Sequence, residues 1–112
     1  MKKIEAIIAP FEFDVLQEAL RHIGVKGMTV LEVKASDDGD SRKRFYRGTE
    51  YSVDFLPKVK VELLVADADV AGAVGIIERS THASANGGGT IFISSLEDVV
   101  RIRTGERGLG AI

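Results

Sequence analysis

The chain of 112 residues contains no cysteine. That excludes disulfide staples and thiol chemistry, and it fits a reducing compartment, so a cytoplasmic location is expected. Histidine is nearly as scarce: His22 and His82 are the only two, and neither lies at a spacing that suggests a metal site or a catalytic triad. There is no basic excess either. A formal net charge of -2 argues against nonspecific nucleic-acid binding. No apolar run approaches the roughly 20 residues needed to cross a bilayer, so direct membrane insertion is not expected. The opening MKKIEAII holds a glutamate among its few apolar residues before Pro10, unlike a signal peptide. What is left is a single domain over residues 1–112, 45% hydrophobic, able to bury a core but small enough to gain from oligomerisation.

The apolar pattern that is present divides the chain clearly. Lys3 to Ile8 reads as a buried strand closed by Pro10. From Asp14, which with Gln17 suits a capping box, Leu16, Ala19, Leu20 and Ile23 fall on one helical face, and Gly24 suits a left-handed C-terminal cap. Met28 to Lys34 alternates, with Val30 on one side and Thr29, Leu31 and Val33 on the other. Periodicity is lost from Ala35 to about Tyr51, so a long exposed loop is expected over about 36–55; a loop of that length in a compact domain is normally functional or disordered. Val59, Val61, Leu63 and Val65 then alternate with Lys58, Lys60 and Glu62 in the clearest half-buried strand. Asp67 or Asp69 is expected to cap a second helix carrying Val70, Ala73, Val74 and Ile77, in which Gly72 and Gly75 suggest close packing. A glycine-rich loop at about 82–90, a strand from Thr90 to Ser94 and the segment RIRTGERG complete the chain.

Two successive β-α-β units of this size predict an α+β, ferredoxin-like fold: a four-stranded antiparallel sheet with both helices on one face. The other face would lie open, with Lys58, Lys60 and Glu62 among apolar neighbours, and self-association is the natural way to bury it.

Candidate chemistry is sparse, and most of it has two readings. Gly87, Gly88 and Gly89 let backbone amides approach phosphate oxygens, or they simply make a flexible turn. Arg101 and Arg103, two apart, share a face if their segment is extended and can then converge on one anion; otherwise they pair with Glu62 or with acids of a neighbouring subunit. Asp37, Asp38 and Asp40 lack the spacing of a calcium loop and read as a solvated cluster, so no metal site is expected. His22 reads as a surface or capping residue, and His82 lies beside the glycine run. The long loop is acidic and then basic, through Arg42, Lys43, Arg44 and Arg47. It is either a self-neutralising solvated segment or an arm whose Phe45, Tyr46, Arg47 and Tyr51 offer interface anchors.

Three stretches, FYRGTEYSVDFLPKVKVELLV from Phe45 to Val65, RIRTGERG from Arg101 to Gly108 and the opening MKKIEAIIAPF, resemble the PII signal-transduction proteins, trimeric nucleotide-sensing regulators of nitrogen metabolism. The resemblance spans nearly the whole chain. It implies a homotrimer with an adenine nucleotide in the clefts between subunits, held by Thr29, Glu62 and Leu64 near the base of the long loop, by Gly87, Gly88 and Gly89, and by Arg101 and Arg103 of the neighbour. It implies a 2-oxoglutarate contact at Lys58, a modifiable tyrosine at Tyr51, and a long loop that controls a target such as a membrane transporter or metabolic enzyme, with Arg47 at the position that plugs a channel. It implies a regulator, not an enzyme.

The sequence also departs from the family pattern. Where the glycine loop usually reads T-G-x-x-G-D-G-K, the matching residues here run from Ala83 to Thr90, with Gly88 in place of the aspartate and Thr90 in place of the phosphate-binding lysine. Where G-x-G-R-Q is usual, Asp38 replaces the arginine and Gly39 the magnesium-ligating glutamine, with Asp37 beside them; Ala9 replaces a common lysine. Each charge-assisted hydrogen bond lost is worth about 1.5–3 kcal/mol. ATP, ADP or AMP is therefore expected to bind more weakly than is usual in the family, and a magnesium-bridged complex of ATP with 2-oxoglutarate is not expected. Two alternatives stand beside this reading: a PII-like paralogue regulating a transporter or enzyme outside nitrogen control, and a small nucleotide hydrolase, against which stands the lack of an evident nucleophile or base.

Overall fold

The computed structural model describes residues 1–25, 27–36, 42–46, 49–53, 55–81 and 89–112, with the side chains of 42–46 and 49–53 outside the description. Strand β1 (Lys2–Ile8) leads through a single 3-10 turn at Pro10–Glu12 into helix α1 (Phe13–His22) and strand β2 (Thr29–Ala35). Strands β3 (Arg42–Tyr46) and β4 (Thr49–Val53) follow, then β5 (Leu56–Val65), helix α2 (Val70–Thr81) and β6 (Thr90–Ser95). The main sheet has the order β2-β5-β1-β6 and every adjacent pair is antiparallel. This is the expected ferredoxin-like plan.

The alternation along β1 and β5 decides the layers. Ile4, Ala6 and Ile8 of β1 and Val59, Val61, Leu63 and Val65 of β5 are buried against Leu16 and Leu20 of α1 and Ala73 and Ile77 of α2. Burying such a side chain contributes about 1.5–3 kcal/mol, so this one cluster supplies most of the drive to fold. The intervening residues Lys3, Glu5, Ile7, Lys58, Lys60, Glu62 and Leu64 stay partly exposed on the opposite face, away from α1 and α2.

Details of the punctuation differ from expectation. Helix α1 does not start with Asp14 as its cap: the chain turns at Pro10, and the buried Glu12 carboxylate accepts a hydrogen bond from the Ala9 N–H at 2.9 Å while the Glu12 N–H donates to the Ala9 carbonyl. Asp14 sits inside the first turn, where a negative charge favours the helix dipole. At the other end Gly24 does take a left-handed φ of +90°, and the Gly24 and Val25 amides donate to Arg21 and Leu20, a Schellman closure. Ile23 is 46% exposed and leaves the apolar face. A 3-10 turn at Asp67–Asp69, with Ala66 and no side-chain hydrogen bond at its N-cap, leads into α2; the Asp67 carboxylate takes the Met1 ammonium at 2.8 Å, which holds it below the usual carboxylate range. Gly72 permits no close packing, since a Cβ there would meet nothing within 4 Å, and at Gly75 it would meet only the flexible Arg79 guanidinium.

The larger difference is in the loop. Part of it is a hairpin, with β3 and β4 forming their own two-stranded sheet in register Arg42↔Val53, Arg44↔Tyr51 and Tyr46↔Thr49. The long axis of 58 Å and the radius of gyration of 16.9 Å, against about 13 Å for a compact chain of this length, describe an elongated molecule.

Candidate functional site

The residues expected to hold a ligand fall into separate groups. Thr29 and Glu62 are direct partners across β2 and β5, and Leu64 lies two residues beyond Glu62, so all three share the open face. Lys58 is on that face as well, but opposite Val33 and four residues back along β5, about 13 Å from Glu62. Gly89 sits at the mouth of β6 against the end of β1. A Cβ there would collide with the Ile7 carbonyl oxygen, so only glycine allows the two backbones to meet so closely. Gly87, Gly88, His82, Arg47, Asp37, Asp38, Gly39 and Asp40 lie outside the described residues, as do the side chains of Phe45, Tyr46 and Tyr51.

Arg101 and Arg103 are not on an extended segment. The Arg101 N–H donates to the Glu106 carbonyl at 2.9 Å and the Gly105 N–H to the Arg101 carbonyl at 2.8 Å, so residues 101–106 form the tip of a small hairpin beyond the Val100↔Arg107 bridge. Glycine serves the hairpin in two places, Gly105 within the tip and Gly108 just past the bridge, with φ of +74° and +69°. Asp98 locks it: its carboxylate accepts from Arg107 at 2.8 Å and from the Val99 and Gly108 amides, and the Arg107 guanidinium, then the Val99 amide, hold it below the usual carboxylate range. Both arginines are exposed, and Ile102 between them is 99% exposed.

Thr29 belongs to edge strand β2 and Glu62 and Leu64 to its neighbour β5, while the arginine hairpin comes in the chain after β6, the edge strand on the other side of β1. From β2 to β6, three strand spacings make about 14 Å. Arg101 does not pair with Glu62 within the chain; its described hydrogen bond goes to the Ala111 carbonyl.

Glu62 is instead part of a closed charge square on the open face. Lys3 bridges Glu5 at 3.1 Å and Glu62 at 3.3 Å, and Lys60 bridges Glu5 at 2.9 Å and Glu62 at 3.8 Å. The carboxylates raise the Lys3 pKa, Glu5 first, and the Lys60 and then the Lys3 ammonium lower that of Glu5. Sequence reading missed Lys3 and Glu5 here: alternation puts both on the open face, but their register against Leu64 and Glu62 comes from the pairing of β1 with β5. His22 is exposed in the last turn of α1, 3.4 Å from Glu18, in a surface role. Among the described residues no cluster of three His, Asp or Glu could hold a metal ion. No helix among them is long and apolar enough to cross a membrane.

An open-faced ferredoxin-like sheet with an arm between its second and third core strands defines a class of protein, and comparison with known proteins gives the family. Residues 1–106 match the family described as nitrogen regulatory protein P-II. The chain is 50% identical over 112 residues to the nitrogen regulatory protein P-II of Azospirillum brasilense, 49% identical to that of Mesorhizobium japonicum and 48% to that of Klebsiella oxytoca, in each case over the full length of both chains. The chain belongs to the P-II family, whose members are signalling regulators and not enzymes.

Proposed function

We propose that the chain is a regulatory subunit in nitrogen control that assembles as a homotrimer through its open sheet face, binds an adenine nucleotide in each cleft between subunits, and acts on a target protein through the arm between β2 and β5. The observation that supports this reading best is the separation of Thr29, Glu62 and Leu64, on β2 and β5, from Arg101 and Arg103, in the hairpin that follows edge strand β6. Thr29, Glu62 and Leu64 on one copy would face Arg101 and Arg103 from the next, with Gly87, Gly88 and Gly89 lining the phosphates. A small nucleotide with a few phosphates suits two guanidiniums without the lysine that Thr90 replaces. Lys58 supports a contact to 2-oxoglutarate, but the glutamine that would hold a bridging magnesium is Gly39. Phe45, Tyr46, Arg47 and Tyr51 supply the target contacts, and Tyr51 is the candidate for covalent modification.

Light scattering combined with calorimetry tests this. The expected mass is three times 12.1 kDa. ADP or AMP should bind at one site per chain, Arg103→Ala should weaken that binding by about tenfold or more, and magnesium should not make ATP and 2-oxoglutarate cooperate. A monomer refutes the assembly, and magnesium-dependent cooperation refutes the view of the altered site.

A further inference from the structure

β3 and β4 hydrogen-bond to each other and to no other described strand. Two residues separate Tyr46 from Thr49, and in a hairpin closed by two residues the closing pair is the hydrogen-bonded one. The pairs 44/51 and 42/53 are then hydrogen-bonded too, which turns the N–H and C=O groups of Lys43 and Phe45 outward along the edge of β3 away from β4, where no described strand lies. A two-stranded ribbon of this length is marginal in water by itself. A third strand would complete it.

The sequence states which strand fits. β3 reads RKRFY, three consecutive cations in five residues. Charged residues commonly guard free edges against aggregation. Here the guard has one sign, so it repels a second β3 and attracts an acidic strand. We propose that the outer edge of β3 is a docking edge for an extended, acidic segment of the target protein, which joins the ribbon as a third strand. Main-chain hydrogen bonds at Lys43 and Phe45 give the affinity, and the cations of Arg42, Lys43 and Arg44 select the partner's charge. This rests on the reading of the arm as the target-contacting element.

The test uses the full-length assembled protein and a fluorescent peptide of alternating valine and glutamate, about seven residues long to span the strand. Fluorescence polarisation compares it with the same peptide N-methylated on the backbone amides of one edge, and compares Lys43→Gln with Lys43→Pro. Both variants lose the charge, but only proline removes the outward N–H, and the hairpin's own ladder does not use it. Saturable binding of the parent peptide, about tenfold weaker with N-methylation and about tenfold weaker for Lys43→Pro than for Lys43→Gln, is the expected result. Equal binding of both peptides would show charge attraction without strand pairing and overturn the proposal. So would equal behaviour of the two variants, or absence of saturable binding. Particle growth with protein concentration that Lys43→Pro abolishes would give the edge to a second copy and likewise overturn it. Subunit mass and nucleotide titration on the same samples separate failure of this edge from failure of the trimeric sensor reading.

Discussion

At the scale of single residues, Gly89 is the position with least freedom. Alanine there would drive a Cβ into the Ile7 carbonyl, which is backbone and cannot swing aside. Gly89→Ala should cost about 1–3 kcal/mol, toward the upper end, and lower the melting temperature. Calorimetric melting checks it; an unchanged midpoint would mean that β6 does not approach β1 as described. The glycine run is legible in the sequence as a candidate phosphate loop. The packing duty of its last member is not, because a backbone close approach leaves no mark in composition. Asp14 and Asp67 show the same limit: each is the right residue type for a helix cap, but a nearby turn in one case and the chain's amino terminus in the other takes the role away.

At the scale of elements, the strands and helices of the core follow from periodicity, since a half-buried strand such as β5 writes its burial directly into alternation. The arm does not: RKRFY and TEYSV carry no apolar period, and among the described strands they pair only with each other. The C-terminal hairpin departs from the extended segment that its arginine spacing suggests for a related reason: its shape comes from local hydrogen bonds and glycines, not from packing. Asp98 makes that hairpin pH-dependent. Its pKa in the fold is depressed, so its contribution is complete above the ordinary aspartate range, near pH 3.9, and is lost as pH falls through the lower folded value. With the intrinsic pH dependence of exchange divided out, protection of the Val99 and Gly108 amides should be high at neutral pH and fall below about pH 4, and in Asp98→Asn it should be lower than in the parent at neutral pH and no longer change with pH. Protection that does not change with pH in the parent chain would remove Asp98 from this role.

At the scale of the whole molecule, the charge square has an outcome for assembly. Lys3, Glu5, Lys60 and Glu62 satisfy one another within one chain, so copies meeting through this face need no ion pairs between them. The proposed trimer should then be held by apolar neighbours such as Leu31, Val33 and Phe92, and light scattering should report the same mass from about 0.1 M to about 1 M salt. Dissociation at high salt would show that the lysines bond across the interface instead. The open face itself is foreseeable from alternation, as is the need to cover it. That β1 separates β2 and β5, with Thr29, Glu62 and Leu64, from the β6 edge after which the arginine hairpin comes is not, because strand order is a long-range property that local patterns do not encode.

The sheet order carries one more consequence for the arm. β2 and β5, which enter and leave it, are neighbours joined by seven register pairs from Thr29↔Glu62 to Ala35↔Leu56. The arm is thus a detour between two strands already bound to each other, and the continuity of the chain through it is not what holds the sheet. A cut in the arm would divide the polypeptide into two pieces that still interlock, one bringing β1, α1 and β2 and the other β5, α2 and β6. The arm can be reshaped or severed while the platform beneath it keeps its form.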